Sequence, residues 1–371
     1  MPQRCQMKNP FFFSGIVEDP AFCNREKEQT DLTKFIENSQ NVLLYSHRRF
    51  GKTSLINKIF KNLEGIVTIY VDLYGTTSIE DFITSLFKGI SSVESKMEKL
   101  MKLIKEKINS LTMNFSIDIY TGAPVAIPVF APVDKRPALD EIFALLESLS
   151  QKKKLAIAFD EFQEISKYSE MTFEKHLRKS IQRHNNISYI FAGSQRHLLA
   201  EMFANSKRAF YKLATSYPLK RINTEDYAAW IQKLYNQDKR KINKRYIENV
   251  VSRCENHPMY IQEFFFNLWD ARAISIELID RVESNILENR DAEFINSWEY
   301  LTLNQRRSLK LIAATGGNNI YSADNLSKFG FRSASQLSKA LEFLLKRDLV
   351  SRNELYSIQD VLFKRWIQKI S

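Results

Sequence analysis

The sequence has few of the residues that build disulfide or metal frameworks. Its three cysteines, Cys5, Cys23 and Cys254, are odd in number and far apart, which argues against a disulfide framework. The five histidines are scattered, so neither residue type shows the spacing of a zinc site. No apolar run approaches the roughly 18 residues that cross a bilayer. The apolar patch near the N-terminus is too short for the core of a signal peptide, so we expect a cytoplasmic protein without a membrane partner.

Glycine is also scarce, with ten residues in 371 where about 7% is usual. In such a chain, a glycine between a strand and a helix is expected where the backbone needs its conformational freedom. Gly51 follows the apolar run 42–45, which is typical of a buried strand. It precedes Leu55, Ile59 and Leu63, whose spacing predicts an amphipathic helix. The turn at Gly51 is therefore the first candidate site.

Composition and charge describe a basic globular chain. Hydrophobic residues make up 44% and charged residues 26%, which excludes wholesale disorder. At roughly 100–200 residues per domain, this length predicts two or three domains. The net charge is +11, and +6 of it falls in residues 299–371, where 12 Lys and Arg face six Asp and Glu. Solubility and an acidic partner such as nucleic acid explain this excess equally well.

Predicted strands and helices alternate over the first half of the chain. This alternation predicts βαβ crossovers and a mostly parallel sheet. Residues 113–132 alternate apolar and polar around a Thr-Gly pair, which predicts a β-hairpin insertion outside the central sheet. After Pro218 the pattern is helical to about residue 295.

The turn at Gly51 carries a phosphate-binding motif. The segment SHRRFGKTS (46–54) matches the phosphate-loop pattern at Gly51, Lys52 and Thr53, although Ser46 stands where the first glycine is usual. Glycine lets the backbone close on a phosphate, and Lys52 adds positive charge for the β- and γ-phosphates. Thr53 offers a hydroxyl to Mg²⁺ at a helix start, which itself favours anions. The residues of this segment predicted to bind the nucleotide are Ser46, Arg48, Arg49, Phe50, Gly51, Lys52, Thr53 and Ser54.

Two further motifs follow apolar strands. Asp160 and Glu161 follow the run 155–159, at the sheet edge where open α/β folds bind ligands. We predict that Asp160 holds Mg²⁺ through a water molecule and that Glu161 orients or polarises the attacking water, although either residue could instead cap a helix. Ser194 follows the next strand and is predicted to sense the γ-phosphate or hold that water, with an ordinary polar strand end nearly as good an explanation.

Four segments together resemble the archaeal-type ATPase family, a branch of the STAND and AAA+ related P-loop NTPases. They are FCNREKE (22–28), LLYSHRRFGKTSL (43–55), IAFDEFQEI (157–165) and NHPMYIQ (256–262). The resemblance implies an α/β fold: a P-loop NTPase with a mostly parallel sheet, followed by a helical lid and a winged-helix domain. It also implies ATP and Mg²⁺ as cofactors.

The resemblance adds residues that spacing does not select. It implies that Arg25 lies near the adenine and that Pro258 presses on the base from the lid. It favours Arg208 as the arginine that stabilises transition-state charge, although Arg196 and Arg221 also follow the third motif. For the paired Arg48 and Arg49 of the phosphate-binding segment, structural and catalytic roles are equally supported.

Some residues depart from the family pattern. Asn24 and Asn256 replace glycines, and asparagine is the other residue that best tolerates positive φ, so those turns are expected to survive. Ser46 and His47 replace the usual glycine and proline of the phosphate loop. These two changes bear on phosphate affinity or rate, not on the fold.

The last 73 residues resemble a winged helix. Helical patterns at 304–314, 322–328 and 333–346 precede two short strands. The third helix presents Arg332 and Lys339 outward, residue types that read base edges or grip phosphate. Winged helices also bind proteins, so the partner is DNA or a protein effector.

We therefore expect an ATPase domain over 1–217 that contains the 113–132 hairpin, a helical lid over 218–298 and a winged helix over 299–371. The expected function is Mg-dependent ATP hydrolysis in a switch protein whose nucleotide state acts on a partner through the winged helix. The alternative is a nucleotide-regulated DNA-binding protein with negligible hydrolysis. A scaffold for a separately encoded effector and an oligomer are both compatible with the sequence.

Overall fold

The computed structural model describes most of the chain as two compact units. The first unit is Arg25–Lys220, and the second combines the N-terminal segment up to Asn24 with residues from Arg221 onward. The residues described are 7–92, 136–169, 172–352 and 354–370, together with the backbone of Leu111–Ile117 and Pro124–Phe130. The predicted ATPase domain starts at residue 1, whereas the segment before Arg25 groups with the second unit.

The first unit is built on a five-stranded sheet in the order β2-β5-β6-β1-β7, and every neighbouring pair is parallel. In chain order the strands of this unit are β1 (Val42–Tyr45), β2 (Val67–Asp72), β3 (Leu111–Ile117), β4 (Pro124–Phe130), β5 (Leu155–Asp160), β6 (Ile187–Gly193) and β7 (Thr215–Pro218). Its helices are α1 (Glu26–Glu37), α2 (Lys52–Asn62), α3 (Ile79–Ser91), α4 (Arg136–Ser150), α5 (Phe173–Gln182) and α6 (Arg196–Ala204), with a 3₁₀ helix at Phe162–Lys167. The predicted mostly parallel sheet is confirmed.

Burial explains why the central strands read as unbroken apolar runs. Every residue of β5 and β6 is buried, as expected where helices cover both faces of a parallel sheet. Phe162, two residues after the end of β5, packs against Phe191 of β6 with ring centroids 4.6 Å apart. This aromatic packing fixes the position of the chain at the end of β5, where Asp160 and Glu161 lie.

The predicted hairpin insertion coincides with a separate antiparallel sheet of β3 and β4. Leu111 pairs with Phe130 at one end and Ile117 with Pro124 at the other. Over the residues described, these two strands form a sheet separate from the five-stranded one. The predicted turn at 121–122 and the end of the range at 131–132 lie outside the described residues.

The second unit is mainly helical. Its elements are α7 (Thr224–Gln237), α8 (Lys244–Arg253), α9 (Pro258–Leu268), α10 (Ile276–Asn289), α11 (Asp291–Glu299), α12 (Leu303–Thr315), α13 (Ala323–Lys328), α14 (Ala334–Lys346), β8 (Val350–Arg352), β9 (Tyr356–Ile358) and α15 (Val361–Lys369). Helices α12 to α14 and the β8–β9 hairpin follow the order and bounds predicted for a winged helix. Among the residues described, no helix has the length and apolar character needed to cross a membrane.

Side chains of α15 tie the winged helix to the helices before it. Trp366 packs against Phe294 and Trp298 of α11, and its indole nitrogen donates to Asp291 at 2.6 Å. Lys364 forms a 2.7 Å ion pair with Glu255, which precedes α9. One hydrophobic cluster runs through the lid helices and the winged helix, so the two predicted regions share a core.

Candidate functional site

The loop between β1 and α2 ends at Gly51, the residue that caps α2. Gly51 has a φ of 85°, and a Cβ there would meet nothing within 4 Å, so backbone conformation and not space requires glycine. Arg49 in the same loop also has a positive φ, of 62°. Because α2 begins at Lys52, its first backbone N–H groups lie at the loop, an arrangement that suits a phosphate.

Lys52 is buried although it carries a charge. Its side chain is 6% exposed, and its ammonium makes only two long contacts, of 3.4 Å, with the hydroxyl of Ser46 and the carbonyl of His47. Burial lowers the pKa of Lys52 below its ordinary value, and the carboxylates of Asp160 and Glu161 oppose this shift. The ammonium is therefore a buried cation without a close anionic partner among the described residues.

Asp160 is held by three hydrogen-bond donors. One carboxylate oxygen, Oδ2, accepts from the Thr53 hydroxyl at 2.6 Å and from the Tyr70 hydroxyl at 2.7 Å. The other oxygen, Oδ1, accepts from the backbone N–H of Glu161 at 3.0 Å. The structure thus brings together two predicted metal ligands, Thr53 and Asp160, that lie 107 positions apart in the chain.

Tyr70 is part of this cluster, and sequence reasoning missed it. It lies on β2, beside β5, and burial together with the negative charge of Asp160 raises the pKa of Tyr70 far above its ordinary value. The phenol therefore stays protonated and acts as a donor. A tyrosine two residues before the end of a strand is the signal in the sequence, but it gains meaning only once β2 and β5 are known to be neighbours.

Glu161 contacts the third motif. Its Oε2 accepts a hydrogen bond from the Ser194 hydroxyl at 2.9 Å and a short one from the Gln163 amide. Its Oε1 accepts none from the residues that the structure describes. Glu161 has a φ of 50°, unusual for a residue other than glycine. The hydroxyl of the predicted sensor, Ser194, thus donates to a carboxylate oxygen of the predicted base, Glu161.

The oxygen atoms at this edge fit Mg²⁺ bound with a nucleotide. Within the described residues, no group of three or more His, Cys, Asp and Glu could hold a metal by itself. Mg²⁺ prefers oxygen ligands and is usually bound through one or two carboxylates together with substrate phosphates. The Thr53 hydroxyl and the Asp160 carboxylate supply that donor set, and the phosphates of a nucleotide would complete it.

The other residues of the phosphate-binding segment differ in exposure. Arg48 and Arg49 are exposed and form no ion pair with a described carboxylate. Phe50 and Ser54 are buried, at 4% and 6% exposure. Ser46 is also buried and donates to the carbonyl of His47 at 3.0 Å. In this structure the arginines therefore present charge to solvent, while Phe50 supports the loop from within.

The structure does not bring Arg208 to this cluster. Its guanidinium pairs with Glu174 at 2.5 Å and with Glu201 at 2.8 Å, two carboxylates outside the cluster. Arg196 does reach the phosphate-binding segment, with its Nη1 3.3 Å from Nε2 of His47. Spacing alone could not choose between Arg196 and Arg208, because both follow Ser194 closely in the sequence.

Arg25 and Pro258 lie in different units. Arg25 is 5% exposed and has a φ of 72°; its guanidinium donates to Glu28 and to the carbonyl of Lys220, both at 2.6 Å. Pro258 is the first residue of α9. Asn24 and Asn256, which replace family glycines, have φ values of 51° and 57°, the conformation that the expected turns require. The contacts of Arg25 and Pro258 with adenine stay predictions.

Comparison with known proteins supports this description of the fold. Residues 292–369 match the family model of a probable winged helix domain. The whole chain is similar to the structure of a Walker-type ATPase of Pyrococcus abyssi, with 19% identity, a TM-score of 0.70, and coverage of 96% of this chain and 99% of that one. It is also similar to the ORC2 protein of Aeropyrum pernix in its ADPNP–ADP complexes, with 15% identity, a TM-score of 0.58 and coverage of 98% of each chain.

The ADP form of that ORC2 protein is similar as well, with 15% identity, a TM-score of 0.54, and coverage of 96% of this chain and 95% of that one. No curated protein matches the chain in sequence. The family model begins at residue 292 and so includes most of α11, the helix whose aromatic residues pack on α15. The chain therefore shares the fold of a Walker-type ATPase and of ORC2 and carries a C-terminal winged helix, which confirms the predicted fold class.

Proposed function

We propose that the protein binds ATP with Mg²⁺ at the loop before α2, hydrolyses it, and acts on a partner through its winged helix. The observation that carries the proposal is the 2.6 Å hydrogen bond between Thr53 and Asp160. It joins the phosphate-binding motif to the acidic strand end, so both motifs can act on one nucleotide. Had these residues lain far apart, neither motif alone would support catalysis.

The chemistry divides among residues of the first unit. The backbone N–H groups at the start of α2 and the Lys52 ammonium bind the phosphates. Thr53 and Asp160 would hold Mg²⁺, which when bound would neutralise negative charge on the phosphate oxygens. Glu161 accepts a proton from water while the water oxygen bonds to the γ-phosphorus. The bond from that phosphorus to the bridging oxygen breaks, and ADP leaves with the electron pair.

Three observations support ATP over GTP. The family resemblance implies an adenine nucleotide, and the similar ORC2 structures are named for complexes with ADPNP and ADP. The sequence has no N-K-x-D segment positioned to read guanine. The nucleotide is therefore assigned as ATP.

The surface of the winged helix favours a protein effector. On α14, Lys339 is exposed, but Lys346 is paired with Glu342 at 2.8 Å, and Phe343 is 36% exposed. Binding to the DNA backbone uses cations that are free to replace counterions. A face with one paired lysine and an exposed aromatic ring suits a protein surface better.

A nucleotide-regulated DNA-binding protein with negligible turnover is the second candidate. The charge of +6 in residues 299–371 favours it. DNA binding would weaken steeply with added salt, so a mobility-shift assay of the full chain at several salt concentrations tests it. Binding that is insensitive to salt, or absent, leaves the protein effector as the partner.

Steady-state ATP turnover of wild type, Lys52→Ala and Glu161→Gln, with and without duplex DNA, tests the enzyme proposal. Lys52→Ala is expected to lose nucleotide binding, and Glu161→Gln to bind ATP but not turn it over. Lys61→Ala, at an exposed lysine in the last turn of α2, is the matched control and should behave like wild type. Unchanged turnover in both site variants would contradict the proposal.

A further inference from the structure

Gln163 lies inside the acidic motif but has no role in the function proposed above. It belongs to the 3₁₀ helix Phe162–Lys167 and is fully buried, at 0% exposure. Its amide nitrogen donates to Oε2 of Glu161, which sets the orientation of the amide group. Its amide oxygen accepts no hydrogen bond from any residue described. A buried polar atom without a partner is uncommon in proteins and is often kept for a functional reason.

Gly193, the last residue of β6, makes room for this amide. A Cβ at position 193 would collide with the amide oxygen of Gln163 and would lie 2.9 Å from a methyl carbon of Leu199. Any larger residue would therefore displace Gln163. Ser194, the next residue, supplies the second donor to Glu161. The end of β6 thus shapes both hydrogen bonds that Glu161 accepts.

We propose that Gln163 is a positioning residue for Glu161. Together with Ser194 it holds Oε2 of the carboxylate, so that the other oxygen, Oε1, is directed to the proton of the attacking water. This inference rests on the proposed ATP hydrolysis, in which that proton passes to Glu161 as the water oxygen bonds to the γ-phosphorus and ADP departs. A glutamate side chain has several rotatable bonds, and a small displacement of a catalytic group costs a large factor in rate.

The test compares kcat with ATP affinity. Gln163→Met keeps the length of the side chain but removes the donor, so we expect kcat to fall about 10- to 100-fold while the Kd for ATP is unchanged. Because the variant also removes an unpaired buried oxygen, its Tm should equal or exceed that of wild type. Gln182→Met, at an exposed glutamine that ends α5, is the matched control. A purely structural role predicts the opposite pattern, a lower Tm with little change in kcat.

Two further variants test whether Gln163 acts through Glu161. Gly193→Ala should displace the amide and lower kcat by a similar factor, which keeps the test available if Gln163→Met does not fold. In the Glu161→Asp background, which keeps a carboxylate but shortens its side chain and so leaves a measurable residual kcat, Gln163→Met should cause a much smaller loss than in wild type, because the carboxylate is already displaced. A loss in that background equal to the loss in wild type would overturn the proposal.

The outcomes separate the inference from the function on which it rests. If wild type does not hydrolyse ATP, the proposed function is wrong and the inference falls with it. If wild type hydrolyses ATP and Gln163→Met retains its kcat, only the inference is wrong. A fall in kcat accompanied by an equal loss of ATP affinity would also overturn it, because a residue that positions the base should not contribute to binding.

Discussion

Replacing Lys52 with methionine should raise the stability of the ligand-free protein and abolish its response to ATP. Lys52 is 6% exposed, and among the described residues its ammonium has two polar contacts, both of 3.4 Å, so burial costs it hydration that no close anion restores. Methionine fills a similar volume without charge. We expect the free energy of unfolding to rise by about 0.5–2 kcal/mol, the range that stabilising substitutions commonly reach.

The measurement is thermal unfolding with and without Mg-ATP. At about 100 times its Kd, a ligand adds about 2.7 kcal/mol, which at about 2–4 °C per kcal/mol raises the Tm of wild type by about 5–11 °C. Lys52→Met should start from a higher Tm and show no shift, while Lys61→Met should match wild type in both. A ligand-free Lys52→Met that is less stable than wild type would refute the reasoning, because the ammonium would then stabilise the neighbouring carboxylates by more than its burial costs.

Three further predictions test other parts of the protein. Tyr70→Phe removes a donor to Asp160, so the Mg²⁺ concentration for half-maximal turnover should rise about 10-fold in a Mg²⁺ titration. An unchanged Mg²⁺ requirement would show that Tyr70 does not help Asp160 to hold the metal. Burial lowers the pKa of His184, so wild type should lose stability as the pH falls below about 6.5, where the unfolded chain takes up the proton first. Urea unfolding at pH 7 and pH 5 should show a smaller loss for His184→Gln, and an equal loss would count against the assignment. Lys364→Glu and Glu255→Lys should each lower the free energy of unfolding by about 0.2–1 kcal/mol. In a double-mutant cycle, the double variant should recover part of the lost free energy, because the ion pair is restored with its charges exchanged.

The sequence predicted those parts of the protein that depend on local pattern. The apolar run before Gly51 and the spacing of Leu55 and Ile59 reflect a buried strand and one face of a helix, and both follow from burial. The winged-helix elements were predictable for the same reason. In each case the periodicity of a short stretch records the side of the element that faces the core.

The rest depends on contacts between distant segments. Tyr70 on β2 donates to Asp160 on β5, a contact that can be predicted only when the order of the strands is known. The bond from Gln163 to Glu161 is local, but the room for the Gln163 amide comes from Gly193 at the end of β6. Arg208 was selected because its position resembles that of a family arginine, yet its charge is taken up by two glutamates. The position of an arginine in the sequence does not determine its ion-pair partners, which are the carboxylates that the fold places within reach.

The surroundings of the two adjacent carboxylates argue for different tasks. Asp160 receives three donors across both of its oxygens, so its carboxylate is fixed in place and suits a group that holds a metal. Glu161 receives both of its donors on one oxygen, which leaves the other able to accept a proton. Under the proposed function, this difference in hydrogen-bond donors matches Asp160 to holding Mg²⁺ and Glu161 to proton transfer. The double variant Asp160→Glu/Glu161→Asp, which exchanges the two side chains, should therefore show no ATP turnover in a steady-state assay, because each task follows from the donors around the position and not from the carboxylate alone.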